Sequence, residues 1–211
     1  TDPGADTIGQ WIVAWGDDPR QLGELRLPAG TGRVPLVVLV HGGCWRAAYD
    51  RTHLAAMATA LAREGVATWT IAYRRVGDTG GGWPGTFDDV ARAVDHVRAL
   101  AAAHPRLDTT HVALAGHSAG GQLALWAASR RAGESPGGAA PLRVRGVVAL
   151  APITDLARYA TPQGCGSAVV PLLGGDTATV AARYTQASPV ARVPLRVAVA
   201  IVHGAADPTV P

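Results

Sequence analysis

The sequence contains no lysine: every one of its 19 basic residues is arginine. Charged side chains reach only 17% and aromatics 5%, a composition foreign to disordered tails and coiled coils. A nucleic-acid binder gathers its cations into a patch or stripe. Here Arg74-Arg75 and Arg130-Arg131 are the only adjacent pairs and the net charge is +3, so the arginines read as solvated helix ends and rims, and no nucleic-acid partner is expected. Long apolar runs are missing as well. The longest spans residues 34–40, far short of the roughly 20 residues of a membrane-spanning helix, so a soluble protein without a membrane partner is expected. Cysteine occurs twice, with no CxxC or Cys/His metal spacing. Two reduced thiols in a cytoplasmic protein, with no metal and no cofactor, are the expectation. No charged-then-apolar leader opens the chain, but the missing initiator Met leaves a removed signal or tag open.

What is present suits one sizeable domain, since 48% of the 211 residues are apolar. Short β-branched runs alternate with longer helical stretches, the pattern of βαβ units and an α/β fold with a mostly parallel central sheet and helices on both faces. Residues 12–15 and 23–27 predict two opening strands, polar enough for an antiparallel edge. Residues 36–40 are continuously apolar, as in a strand buried on both faces. A helix is expected over 51–64, ended by Gly65, and a strand over 66–73. After a Gly-rich loop at 77–85, apolar positions Val90, Val94, Val97 and Leu100 predict one long helix over 86–103, stopping before Pro105. Strands at 112–115, 144–150 and 197–202 and a helix at 119–131 complete the set, with a polar surface loop over 133–141. The irregular stretch 152–194, with short helical pieces such as 177–184, is the natural place for a small cap within the single domain 1–211.

The strongest chemical signal is Gly116-His117-Ser118-Ala119-Gly120, a G-x-S-x-G after a strand and opening a helix. A nucleophilic serine has to stand on a sharp turn, and small residues on either side let strand and helix approach. The Ala119 amide then faces a developing oxyanion, and the helix N-terminus favours negative charge there. The alternative is a helix N-cap serine after an ordinary turn. A second element is His41-Gly42-Gly43-Cys44-Trp45, directly after the apolar strand. Glycines at a strand's C-terminal end leave backbone amides unobstructed, the other half of an oxyanion hole: Gly42, Gly43 and Cys44 beside Ala119. His41 reads as a histidine pinning that loop.

HGGCW followed by GHSAGG resembles the α/β-hydrolase superfamily, and within it the HGGxW branch of kynurenine formamidases (arylformamidases) and related carboxylesterases. The likeness covers nearly the whole chain: Trp15-Gly16 through Leu25-Arg26-Leu27-Pro28, Ala72-Tyr73-Arg74, Trp83-Pro84 to Asp89, residues 151–156, and 203–211. It implies Ser118 as nucleophile and Asp207 as triad acid, in a loop from which a carboxylate reaches over to orient an imidazole. Asp155, in the equivalent loop of the preceding strand, is the runner-up; otherwise it caps the next segment. Trp45, Trp83, Tyr73 and Tyr159 either line an apolar pocket or pack.

The chain order of this fold is Ser, Asp, His. None of the seven histidines stands after Asp207. The last strand and helix of the family are missing too, which leaves 197–202 as an apolar sheet edge. The expectation is therefore a chain that stops short of its natural C-terminus, with the triad histidine beyond Pro211. The implied activity is cleavage of a small ester or amide through an acyl-serine, without cofactor or metal. A peptidase-like relative and a catalytically inactive hydrolase-fold binding module are the rivals. A dinucleotide site is ruled out because Gly116–Gly121 lacks the G-x-G-x-x-G spacing.

Overall fold

A computed structural model describes residues 7–138 and 140–210. Ala139, within the expected surface loop, and Pro211, the last residue of the C-terminal motif, lie outside the described residues.

Seven strands form one sheet in the order β1-β2-β4-β3-β5-β6-β7. These are β1 Gly9–Ala14, β2 Leu22–Leu27, β3 Val34–Val40, β4 Ala67–Ile71, β5 Leu107–His117, β6 Gly146–Leu150 and β7 Ala198–Val202. β1 and β2 form the antiparallel edge that their polarity predicted, while β4, β3, β5, β6 and β7 run parallel. The helices are α1 Ala55–Arg63, α2 Gly85–Asp95, α3 Val97–Ala103, α4 Ala119–Ala128, α5 Leu156–Tyr159, α6 Val169–Leu173 and α7 Ala181–Ala187. Among the described residues no helix is long and apolar enough to cross a membrane.

Alternation along β3 shows how the sheet is covered. Val38 and Val40 join the main core with the helical residues Val90, Val94 and Leu123. Leu39, between them, packs on the opposite face with Leu54, Ala58 and Ala115. Both faces are therefore apolar, which is why β3 reads as an unbroken hydrophobic run.

The structure corrects three expectations. The long helix over 86–103 is two, α2 and α3, interrupted at His96. At the interruption the Asp95 carboxylate accepts from Arg130, Ser135 and the Leu142 amide. Strand β5 is eleven residues long rather than four, because the polar, partly exposed stretch before Val112 extends the ladder that only its apolar end announces. Nor are the arginines uniformly solvated. The Arg130 side chain is fully buried against Asp95, and Arg74 makes a two-pronged bond to the buried Asp89 at 2.8 and 2.7 Å. Paired and hydrogen-bonded, these guanidiniums tolerate an environment an isolated cation would not.

Segment 152–194 holds α5, α6, α7 and two 3-10 turns, Gly164–Ala168 and Pro189–Arg192, as the irregular pattern suggested. At the far edge every residue of β7 is exposed, including Val199, Ile201 and Val202.

Candidate active site

Strand β5 ends at His117 and α4 begins at Ala119, so Ser118 carries the whole reversal of direction alone. It does so at φ 54° and ψ −120°, a conformation that costs an ordinary L-residue about 1–3 kcal/mol and persists only where the surroundings enforce it. They do. A Cβ on Gly116 would sit 2.2 Å from the Gly120 carbonyl oxygen, and one on Gly120 would sit 2.1 Å from that of Val40. Only glycine allows strand, turn and helix to close this tightly. The Ser118 amide donates to Leu150 O at 2.8 Å, tying the turn to β6. The residue is 8% exposed, and among the described residues its hydroxyl has no hydrogen-bond partner.

The second loop lies directly against this turn. Val40 is paired with Gly116, and a Cβ on Gly42 would meet the His117 carbonyl oxygen at 2.7 Å. Gly43, Cys44 and Trp45 follow with φ of 107°, 52° and 55°, three successive left-handed residues. The amides of Gly42, Gly43 and Cys44 donate to no group among the described residues. Ala119, as the first residue of α4, has no partner for its amide within the helix. The geometry thus brings Ser118, Ala119 and the Gly42–Gly43–Cys44 loop to one rim of the sheet.

His41 pins the loop, as its position suggested. It is buried, stacked on Tyr73 with ring centroids 4.4 Å apart, and its Nδ1 donates to Gly42 O at 2.8 Å. Burial pushes its pKa down to about 4, and the buried Nε2 has no partner. His117 is also held below the ordinary histidine value, first by desolvation and then by the neighbouring His53 ring at 5.8 Å, while Asp207 pulls the other way. Trp45 and Tyr73 are corrections. Both are fully buried: the Trp45 indole donates to Gln122 Oε1 at 2.9 Å and the Tyr73 hydroxyl to His41 O at 2.8 Å. They are core braces behind the loop, not pocket walls. Trp83 packs on Phe87, whereas Tyr159 does line a cavity and donates to Thr209 O at 2.8 Å.

Asp207 lies in the turn after β7 and is only partly buried. The Thr209 and Val210 amides both donate to its Oδ1, at 2.8 and 3.1 Å, and hold its pKa below the usual carboxylate value. Oδ2 stays 3.6 Å from His203 Nε2, which donates instead to Val210 O at 2.7 Å. Asp155 accepts from the Arg158 amide at 3.0 Å and caps α5. Beside both carboxylates a cavity of about 530 Å³ is lined by Asp155, Arg158, Tyr159, Ile201 and His203.

The expected free thiols are overturned. Cys44 and Cys165 form a disulfide with Cα atoms 5.1 Å apart, inside the range such bonds require. Segment 152–194 folds back over the glycine loop and delivers Cys165 to it, a proximity invisible in the spacing. Among the described residues no group of three or more potential ligands could hold a metal ion.

The BD-FAE family model matches residues 24–211. No curated protein matches. Among solved structures, a bifunctional GH43-CE protein of Bacteroides eggerthii superposes with a TM-score of 0.82 at 25% identity, over 96% of this chain and 31% of that one. A truncated form of a carbohydrate esterase from gut microbiota gives 0.80 at 23% identity, over 100% of this chain and 82% of that one. A thermophilic esterase of the Planctomycetes species Thermogutta terrifontis gives 0.74 at 21%, over 96% and 73%. The latter two likenesses establish the α/β-hydrolase fold alone. The chain spans less than a third of the Bacteroides protein's length.

Proposed function

The chain belongs to the BD-FAE family, and from that premise we propose that it is a serine esterase that cleaves small carboxylic esters through an acyl-enzyme on Ser118. The observation that carries this reading is the strained Ser118 turn set against a loop whose Gly42, Gly43 and Cys44 amides donate to no group among the described residues. The hydroxyl makes no capping hydrogen bond to the helix it precedes, so an ordinary N-cap serine does not account for the turn.

In this cycle the Ser118 hydroxyl gives its proton to an imidazole and attacks the ester carbonyl. The oxygen of the tetrahedral intermediate is held by the amides of Ala119 and of the Gly42–Gly43–Cys44 loop, each such donor contributing about 3–4 kcal/mol. The alcohol leaves with the imidazole's proton, and water then releases the acid by the same route. Asp207 is the acid that orients the imidazole. Its Oδ1 is occupied by two backbone amides, so Oδ2, which accepts no hydrogen bond among the described residues and faces His203 at 3.6 Å, is the lone-pair site for that task. The names of the similar structures put acylated carbohydrates first among esters to assay, and N-formylkynurenine tests the formamidase-like alternative. The Cys44–Cys165 bond favours an oxidising compartment over the cytoplasm.

One observation favours the inert binding-module reading: among the described residues no imidazole hydrogen-bonds to Ser118. A fluorophosphonate probe applied to the natural full-length protein separates the two. Covalent labelling that maps to Ser118, together with ester hydrolysis, is the expected outcome; an unlabelled serine in a folded protein refutes the esterase.

A further inference from the structure

The left-handed run Gly43–Cys44–Trp45 is held from three sides. On the strand side, His41 is locked to Gly42. Beyond it, the Trp45 indole is anchored on Gln122 and a bridge joins Arg46 to Val76. Between these anchors, Cys44 is bonded to Cys165 on the Gly164–Ala168 turn. That turn is a fixed post. It runs straight into α6, whose Val169, Leu172 and Leu173 are buried in the core, and the Trp83 amide donates to Leu172 O at 2.6 Å. Arg46 adds a second tie, reaching Ser167 Oγ at 2.6 Å and Gly164 O at 3.3 Å. Both cysteines are half-buried, so a small reductant has access.

We propose that Cys165 is a positioning residue for the reaction: its disulfide to Cys44 holds the strained glycine loop with its amides facing Ser118, so that ester hydrolysis depends on the pair being oxidised. Cys165 touches no substrate in this scheme. It acts through Cys44, whose own amide is one of the donors without a partner among the described residues. A left-handed non-glycine residue relaxes toward ordinary backbone when its restraint is lost. Rotation of one or two peptides there turns the amides away from the oxyanion while leaving the core intact. Reduction is a two-electron exchange with a dithiol: the Cys44–Cys165 bond breaks, each sulfur gains a proton, and the reductant closes into its own cyclic disulfide.

The inference rests on the esterase reading, and one experiment distinguishes their failures. The natural full-length protein is assayed on a nitrophenyl ester oxidised, after dithiothreitol with two thiols titrated, and after reoxidation; Cys165→Ser is assayed alongside, and each form is melted. Misplaced catalytic groups cost up to about a hundredfold. The expected result is therefore a fall in kcat of about ten- to a hundredfold on reduction, with KM within about twofold and the fold intact at the assay temperature. Reoxidation restores the wild type, and Cys165→Ser stays low throughout. Reduced protein that keeps its kcat, or a loss of kcat that merely follows the unfolded fraction, overturns the proposal. Oxidised wild type that neither hydrolyses the ester nor takes a fluorophosphonate overturns the esterase reading itself.

Discussion

Two residues at the site carry their roles through geometry measurable without a substrate. Ser118 is the first. Ser118→Ala is expected to lower ester turnover by at least about 10⁴-fold, the scale seen when a serine nucleophile is removed, while the thermal midpoint stays level, because alanine keeps the Cβ and with it the same strained backbone. Equal activity in the variant removes it from the chemistry. His41 is the second, and its effect is on stability. Its folded pKa, near 4, lies below the ordinary 6.5, so the unfolded chain binds the proton more readily. Stability from this residue is fully present above pH 6.5 and is lost as pH falls toward 4. Linkage puts the loss between pH 7 and pH 5 at about 2 kcal/mol. Urea midpoints at the two pH values, for wild type and for His41→Asn, measure it; the variant's curve is expected to be flatter. Glycine at 120 gives a third outcome. Its missing Cβ is confronted by Val40 O at 2.1 Å and His41 O at 2.5 Å, backbone that does not yield cheaply. Gly120→Ala is expected to cost about 3 kcal/mol in denaturant titrations.

Among the elements, the α2–α3 junction depends on the Asp95 carboxylate, paired closely with Arg130 and more loosely with Arg98. Half-buried Asp95 sits between the buried Arg130, Ser135 and the Leu142 amide, joining α2 to the end of α4 and to the chain entering β6. Removing one partner strands the other, so Asp95→Ala is expected to destabilise by about 3–5 kcal/mol with no change in ester KM at temperatures where the variant is folded. A loss below 1 kcal/mol shows the pair is not the fastener. This junction also marks where reading a sequence stops. Helical periodicity spans the break, because Val94 and Val97 keep the same face on both sides of His96, and nothing local announces Arg130 arriving from far along the chain. By contrast the Ser118 turn and the glycine loop were legible, since glycines at 116, 120, 42 and 43 encode their own conformations. The mostly parallel sheet around them followed from the alternation of strand and helix stretches, whereas the order of its strands became visible only in the structure. Cys165 was not legible at all: segment 152–194 has no period, and its fold is set by what it covers. The burial of Trp45 and Tyr73 was hidden for the same reason, as a tertiary property of aromatic residues placed on loops.

At the scale of the molecule the sheet is asymmetric. One edge, β1, is paired antiparallel with β2, and the other, β7, presents Val199, Ile201 and Val202 at 42, 53 and 60% exposure. Beside it a cavity of about 360 Å³ is walled by Leu125, Val190, Val193 and Leu195. An apolar parallel edge is a template for another strand. Residues 1–211 expressed alone are expected to self-associate through β7, and the pair Val199→Lys and Ile201→Lys to shift the species seen by light scattering toward monomer. A wild type monodisperse at the highest concentration tested counts against it. Elsewhere a single amide joins parts far apart in the chain. Gln122, one helical turn past Ser118, accepts from the Trp45 indole and donates to Ala187 O at 2.9 Å. Its carboxamide can turn over only by breaking both bonds at once. Chimeras that graft a foreign segment in place of 152–194 must therefore present a carbonyl at position 187. Without it, the NH2 of a buried carboxamide is orphaned one turn past the nucleophile, and the fault is transmitted through the same side chain to Trp45.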